Sequence, residues 1–341
     1  MRTSLRKVGT VVGALGVAAA ITVAGVGVAS ADPANANAVK IAGTGSDTTQ
    51  FIMDAIVAAY DKAPTHASTY VGSWDATGSA TVNVKPSKGA ACNIARPFGS
   101  GAGITALRSS IAAGDGCLDF ARSSAGKATD GTQNDLSFYQ FARDAVSWVT
   151  FPSAVTPASL TTVQLQGIYN CTITDWGQVG GTAGKPILPY LPQSTSGTRK
   201  FFLGAIGVTS PGPCVNTLNN TLNENDGNAI AASAGANKNL VVAPFSVAQY
   251  LSDSRHLSPD IRGGFALKKI NGKSPTVKAK KQVVLNAGFT PAFVRLVYNV
   301  TSATAPATVT NLFKTGGFVC SQRALILKWG FGAINNCGVK S

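Results

Sequence analysis

Charged residues and histidines are both scarce in this chain, which limits the chemistry that it can carry out. Only 13% of the residues are charged, and the two histidines are His66 and His256. Six cysteines are present, but no two of them form a Cys-x-x-Cys motif. A zinc or thiol-redox site therefore lacks its usual ligands, and no Ser-His-Asp triad is persuasive. We predict no catalytic residue, no metal site and no cofactor.

The N-terminus has the pattern of a secretory signal peptide. Arg2, Arg6 and Lys7 precede a long apolar run, and Ala29 and Ala31 stand where signal peptidase requires small residues. We predict cleavage near Ala31 and a secreted protein, extracellular or associated with the cell wall. A retained membrane anchor is the alternative, because the apolar run is long enough to span a bilayer.

The mature chain is basic. Cleavage removes three basic residues and no acid, which lowers the formal net charge from +14 to +11. A basic excess favours anionic surroundings, such as cell-wall polymers, membrane surfaces or anionic ligands. The lysine-rich stretch 268–281 lacks the interleaved aromatic residues of a nucleic-acid groove. We therefore expect an exposed loop there, no nucleic-acid partner, and a monomer.

All the cysteines lie after the signal peptide, and their even number in an exported chain predicts disulfides. The sequence alone does not choose among the many possible pairings. We favour pairing in sequence order, because the chain segments that such bonds close are short and each bond would stay within one of the two lobes that we predict below. The predicted bonds are Cys92–Cys117, Cys171–Cys214 and Cys320–Cys337.

Strand-like segments alternate with helical segments along the chain, which is typical of an α/β fold with mostly parallel sheets and helices on both faces. Apolar residues recur at helical spacing, and β-branched or aromatic runs mark the strands. We see no fixed-period repeat. The predicted strands are 38–42, 118–121, 144–152 and 291–300; the predicted helices are 49–62, 159–170, 199–207, 308–319 and 321–331; 95–116 and 239–251 are predicted strand-to-helix units.

Three loops place hydroxyl groups and glycines at the start of predicted helices: "GTGSDT" (43–48), "GSGAG" (99–103) and "STSGTR" (194–199). The first N–H groups of a helix have no partner within it, and the helix dipole adds partial positive charge. Glycine allows a ligand to approach the backbone closely. Helix capping, for example by Ser46 or Asp47, explains any one loop. Three converging loops would instead bind a small oxyanion.

The order of these segments resembles the phosphate-binding protein of bacterial ABC transporters, which has a type II periplasmic-binding-protein fold. The glycine-rich first loop, "FGSGAGI" and "LDFARSSAG" match in order. So do "LTTVQLQGIYNCTITDWGQVGG" and "SGTRKFF". The resemblance covers most of residues 38–330. It implies two lobes with a ligand cleft between them, in which a small oxyanion is captured and passed to an ABC permease. Phosphate is the leading candidate for that oxyanion.

The resemblance also implies a set of ligand-binding positions. Two charged contacts of the family are replaced in this chain: its aspartate aligns with Ser124, and its arginine aligns with Pro192. Asp47 is a conceivable substitute for the aspartate, and Arg122 or Arg199 could supply the positive charge. The predicted ligand-binding residues are Ser46, Asp47, Thr48, Ser100, Ser124, Ser196, Gly197 and Thr198.

The predicted domain organisation follows from the same resemblance. Residues 1–31 are the signal peptide, residues 32–151 with 253–341 form lobe I, and residues 152–252 form lobe II. A fold does not fix its function. A cell-wall or adhesion module without a transport role, built on the same scaffold, is therefore the main alternative.

A more distant alternative is a serine acyl enzyme of the penicillin-binding type. "SAGK" (124–127), "SDS" (252–254) and "KTG" (314–316) mimic its three motifs in order. The serine of that class begins a helix, whereas "SSAGKATDG" is interrupted by glycine. "KTG" belongs on a strand there, but here it follows a helical pattern. We therefore favour a binding protein over an enzyme.

Overall fold

A computed structural model describes residues 32–66 and 69–341 of the chain. The predicted signal peptide and its cleavage point lie outside the described residues. Among those that are described, no helix combines the length and the apolar character needed to cross a membrane.

Most helices form where the sequence predicts them, because their apolar residues share one face. In the helix Gln50–Asp61, for instance, Ile52, Met53, Ile56 and Tyr60 are buried together. The sequence does not predict the helix Gly227–Ala234, and the single predicted helix 308–319 is divided between Ala307–Phe313 and Phe318–Ser321. The helices are α1 Gln50–Asp61, α2 Ser100–Ala113, α3 Thr162–Tyr169, α4 Gly197–Ala205, α5 Gly227–Ala234, α6 Val247–Ser254, α7 Ala307–Phe313, α8 Phe318–Ser321 and α9 Arg323–Lys328.

Two strands, Leu136–Thr150 and Val294–Ser302, are much longer than most of the others. The strands are β1 Val39–Gly45, β2 Tyr70–Ser73, β3 Thr81–Asn83, β4 Asn93–Ala95, β5 Phe120–Ser123, β6 Leu136–Thr150, β7 Ser159–Leu160, β8 Leu188–Pro189, β9 Val241–Ser246, β10 Ala266–Leu267, β11 Lys269–Ile270, β12 Thr276–Ala279, β13 Gln282–Leu285 and β14 Val294–Ser302.

The main sheet has the strand order β2-β1-β5-β14-β6-β9-β8, with β10 paired to β6. Strands β2, β1 and β5 are parallel, and so are β9 and β8. β14 and β6 run antiparallel to their neighbours. The α/β fold predicted from the sequence is confirmed, with parallel strands on both sides and antiparallel pairing in the middle.

β6 is the strand that joins the two halves of the protein. Residues 136–145 pair with β14, and residues 146–149 pair with β9. The sequence predicts only its second part, since Arg143 and Asp144 interrupt the apolar pattern of the first. Two buried clusters, which contain Phe120 and Phe138, pack against the first half of β6. Two others, which contain Trp148 and Phe245, pack against the second half. A two-lobed fold results.

The predicted lobe boundaries stay a prediction. One observation bears on them: Phe265, Phe289 and Phe293 follow the predicted return to lobe I, yet they pack in the clusters that contain Trp148 and Phe245. Apolar area is buried wherever the chain finds a complementary face, and these aromatic side chains find it beside β6 and β9.

The sequential disulfide pairing is confirmed. Cys92–Cys117, Cys171–Cys214 and Cys320–Cys337 are all bonded, and no free cysteine remains. Each bond closes a short loop, as the spacing of the cysteines along the chain predicts.

Candidate functional site

Strands β2, β1 and β5 end at one edge of the sheet, and the loops that follow them meet the N-termini of α2 and α4. Ser100 begins α2, and its Oγ lies 3.2 Å from Oγ of Ser124 and accepts the Ser124 N–H at 3.0 Å. A side chain at Gly197 would collide with both hydroxyl groups. Gly197 therefore lets α4 approach these serines closely.

Thr48 and Thr198 meet beside this contact, with their Oγ1 atoms 3.3 Å apart. The carboxylate of Glu224 lies against both of them. It accepts hydrogen bonds from Thr48 Oγ1 at 2.6 Å, from Thr198 Oγ1 at 3.1 Å and from the Thr198 N–H at 3.2 Å. The carboxylate of Glu224 thus engages the hydrogen-bond donors at the start of α4. The sequence predicts that these donors bind an oxyanion ligand.

The turn before α5 aims Glu224 at these donors. Asn225 has a positive φ of 60°, a conformation in which asparagine is enriched. Its side chain donates to Thr48 Oγ1 and accepts the Ser246 N–H. Asp226 caps α5 by accepting the Ala229 N–H. Both residues anchor the turn, so the position of Glu224 is built into the fold.

A buried ion pair lies beneath Thr198. Arg295 on β14 and Asp144 on β6 are direct cross-strand neighbours, joined at 2.8 and 3.0 Å. Arg295 also donates to Thr198 Oγ1 at 3.0 Å, and Asp144 accepts the Ala248 N–H at the start of α6. The positive charge nearest to Thr198 in these contacts therefore belongs to Arg295.

The two arginines that the sequence nominates are placed elsewhere. Arg122 is fully buried and donates to the carbonyls of Gly45 and Ser46 and to Ser73 Oγ. Arg122 therefore holds the backbone of the loop 43–48 through its carbonyl groups. Arg199 donates to the carbonyl of Pro192. Neither makes a hydrogen bond to the hydroxyls at the centre of the site.

The remaining predicted residues fall into two groups. Ser196 caps α4 by accepting the Arg199 N–H, whereas Ser46 contributes its carbonyl to Arg122. The predicted capping of α1 by Ser46 or Asp47 is wrong, since Thr49 stands at the N-cap and no side chain caps that helix. Asp47 Oδ1 accepts the Thr48 N–H instead. Ligand binding by these residues stays a prediction.

Asp47 and Glu224 form a carboxyl pair that shares one proton. Burial, followed by the charge and hydrogen bond of Glu224, raises the pKa of Asp47 well above its usual range. Burial alone would raise the pKa of Glu224 as well. The pKa of Glu224 is nevertheless lowered by its hydrogen bonds with Asp47, Thr48 and Ser196 and by the charge of Arg295. These opposite directions favour the proton of the pair on Asp47 and the negative charge on Glu224.

A second buried acid lies near the same loops. Asp253 accepts hydrogen bonds from Gln249 and Ser258, both at 2.6 Å. Burial raises the pKa of Asp253 to about 7, against the opposing effect of these bonds. The folded state therefore holds a proton on Asp253 that the unfolded chain loses near pH 4.

This shift predicts a loss of stability as the pH rises from about 4 to about 7, because ionisation then favours the unfolded chain. Over roughly three pKa units the expected loss from Asp253 is on the order of 4 kcal/mol. Urea unfolding of the native protein and of Asp253→Asn across this range should show a shallower pH dependence in the variant. Asp130→Asn, at an exposed site, is the control. Hydrogen bonds from Thr132 lower the pKa of Asp130, so its removal leaves the loss of stability between about pH 4 and 7 in place. Equal slopes in all three proteins would contradict the assignment.

Comparison with known proteins agrees with this architecture. Residues 30–287 match the family model of the PBP superfamily domain. The chain belongs to the PBP superfamily. Among curated proteins, no relative matches.

Solved structures of the PBP superfamily share the fold. An ABC-type phosphate transport receptor from Vibrio cholerae has a TM-score of 0.57 and 22% identity, over 86% of this chain and all of that one. A structure from Clostridium perfringens is described as a phosphate ABC transporter substrate-binding protein with bound phosphate. It has a TM-score of 0.57 and 16% identity, over 86% of this chain and 99% of that one. At these identities the likeness establishes the fold, and the superfamily establishes a solute-binding role.

The positions of the three motifs do not favour the enzyme alternative. Ser124 lies against Ser100 and Gly197, Asp253 bonds to Gln249 and Ser258, and Lys314 lies against Gly338. The three motifs that mimic an acyl enzyme are therefore not brought together by these contacts. Membership of the PBP superfamily favours a binding protein over an enzyme.

Sequence reasoning missed the residues that give the site its charge. Arg295 and Asp144 could have been found, because a charged residue within an apolar strand is a signal that it is paired and buried. Glu224 gives no such signal. It stands among polar residues in "NENDG", and only the turn of the chain brings it to Thr198.

Proposed function

We propose that the protein captures a small solute between its two lobes, and that Glu224 excludes doubly charged oxyanions, phosphate among them, from the start of α4. The solute passes to an ABC-type permease. The observation that carries this proposal is that the Glu224 carboxylate accepts hydrogen bonds from Thr48 and Thr198. These are the donors that a bound oxyanion would need.

Two physical effects support the exclusion of phosphate. A group tethered in its binding site competes at an effective concentration of millimolar or more. A phosphate that entered beside Glu224 would also face its negative charge. At about 4 Å and an intermediate dielectric, that repulsion is on the order of 4 kcal/mol. Free phosphate must therefore displace a carboxylate that is already fixed by Asn225 and Asp226.

Phosphate is the second candidate, because several neutral donors suit it. The hydroxyls of Ser100 and Ser124 lie 3.2 Å apart, and those of Thr48 and Thr198 lie 3.3 Å apart. Arg295 donates a hydrogen bond to Thr198. The printed descriptions of the Vibrio cholerae and Clostridium perfringens structures name phosphate. Phosphate capture by this chain requires that the Glu224 carboxylate give up its hydrogen bonds with Thr48 and Thr198.

Calorimetric titration of the refolded, ligand-stripped protein with phosphate and sulfate at pH 7 tests the proposal. We expect no saturable heat with either ion up to millimolar concentration. A micromolar phosphate affinity in the native protein would overturn the exclusion and favour the second candidate. If no solute of any class binds, the cell-wall adhesion alternative gains support.

A further inference from the structure

A cavity of about 380 Å³ lies next to the Asp47–Glu224 pair. This volume is within the range of sites for small organic ligands and far exceeds the space of a single ion. The side chains of Asp47, Asp75, Glu224 and Asp226 all line it, and no lysine, arginine or histidine is among its lining residues. Its chemistry is therefore acidic, in a protein whose overall charge is basic.

Two buried oxygen atoms on the cavity wall lack a hydrogen-bond donor. Among the described residues, nothing donates to Asp47 Oδ2 or to Asn223 Oδ1. Asp47 is more than nine-tenths buried, and the group that faces it is another carboxyl, that of Glu224. Asn223 Oδ1 is therefore a buried acceptor without a donor, which is costly. Asp47 and Glu224 have a single shared proton between two buried carboxyl groups. Both features favour a ligand that donates hydrogen bonds.

The nearby arginines are not placed to supply these donors, because no arginine is among the residues that line the cavity. Arg295 pairs with Asp144, and Arg122 bonds to the first loop from behind. The cavity also has an apolar side, formed by Phe51, Pro259 and Ile261. An aromatic face attracts a cation as well as an alkyl chain.

We propose that this cavity binds an organic cation, with a primary ammonium group between Asp47, Glu224 and Asn223 and a short apolar stem along Phe51 and Ile261. The proposal deepens the solute-capturing function and rests on it. Ammonium supplies three donors and one positive charge, which is what the donor-free oxygens and the surplus of carboxylates lack.

Binding of such a cation should release a proton. The ammonium group replaces the proton that Asp47 shares with Glu224, so Asp47 ionises when the ligand binds. Asp75 and Asp226 on the same wall favour this exchange, and Arg122 behind the first loop favours the ionised form of Asp47 as well. Affinity should therefore increase with pH while the ligand remains an ammonium ion.

Calorimetry with matched probes tests the proposal. Butylamine and 1,4-diaminobutane carry ammonium groups, whereas 1,4-butanediol has the same chain with hydroxyls. We expect saturable binding of an amine and at least tenfold weaker binding of the diol. Titration in buffers of different ionisation enthalpy should show close to one proton released. Calcium and magnesium chlorides serve as probes for a simple metal ion.

Variants separate a ligand contact from a structural effect. Glu224→Gln should weaken amine binding about tenfold or more, and Asp47→Asn should abolish the proton release. Asp130→Asn, an exposed acid outside the cavity lining, is the matched control and should bind as the native protein does. Unfolding curves recorded for each variant show whether it is folded.

The outcomes distinguish the two proposals. Absence of amine binding, or equal binding of the diol, overturns the organic cation even if phosphate is excluded as expected. Binding of calcium or magnesium without the amines overturns it in favour of a metal ion. Phosphate binding by the native protein overturns the proposed function by itself, in a titration that contains no amine.

Discussion

Replacing Glu224 with alanine is expected to give the protein a phosphate affinity at least 100-fold higher than that of the native chain. The change frees Thr48 Oγ1, Thr198 Oγ1 and the Thr198 N–H, which Glu224 engages in the native protein. It also removes the nearest repulsive charge, which is worth a few kcal/mol at this distance. Calorimetry with phosphate at pH 7 measures the gain.

The matched control for this gain is Asn223→Ala. Asn223 immediately precedes Glu224 and lines the same cavity, but no hydrogen bond joins it to Thr48 or Thr198 among the contacts of the described residues. This variant should remain unable to bind phosphate. If Glu224→Ala folds normally and still shows no phosphate binding, the donors of Thr48 and Thr198 at the start of α4 do not form an oxyanion site.

Replacing Asp144 with alanine is expected to destabilise the protein by about 3–5 kcal/mol. Arg295 is almost fully buried, and without Asp144 its charge loses the partner that compensates its burial. The Ala248 N–H at the start of α6 loses its acceptor in the same change. Urea unfolding at pH 7 measures the loss. Asp144→Leu combined with Arg295→Met should recover much of it, since a buried pair can often be replaced by apolar residues.

An exposed ion pair gives the comparison for this effect. Arg108 and Asp135 are bonded on the surface, where solvent screens the attraction. Asp135→Ala should therefore cost about 1 kcal/mol or less. Similar losses for Asp144→Ala and Asp135→Ala would show that burial does not govern the Arg295 pair.

Local patterns in the sequence are sufficient to predict much of the fold. The apolar face of α1 and the stop of α2 at Gly114, whose φ is 62°, depend on neighbours a few residues away. The disulfides close short loops for a similar reason. The close approach of Gly197 to Ser100 is also foreseeable, because glycine and serine at helix starts mark contacts with the backbone.

The charges of the site could not be predicted in the same way. Glu224 is 26 residues from Thr198, and Arg295 is 151 residues from Asp144. Neither distance leaves a periodic signal in the sequence. Arg122 has the right neighbours in sequence, but the pairing of β5 with β1 brings it to the carbonyls behind the first loop.

Residue types and short-range spacing are enough to specify the α/β fold and the hydroxyl-rich helix starts of the cleft, and they favour the sequential disulfides without excluding other pairings. Only the tertiary structure decided the sign of the charge in that cleft. The turn at Asn225 brings the Glu224 carboxylate onto the donors of Thr48 and Thr198, and the pairing of β14 with β6 commits Arg295 to Asp144. Both contacts depend on the folded positions of distant segments, to which local sequence patterns are insensitive.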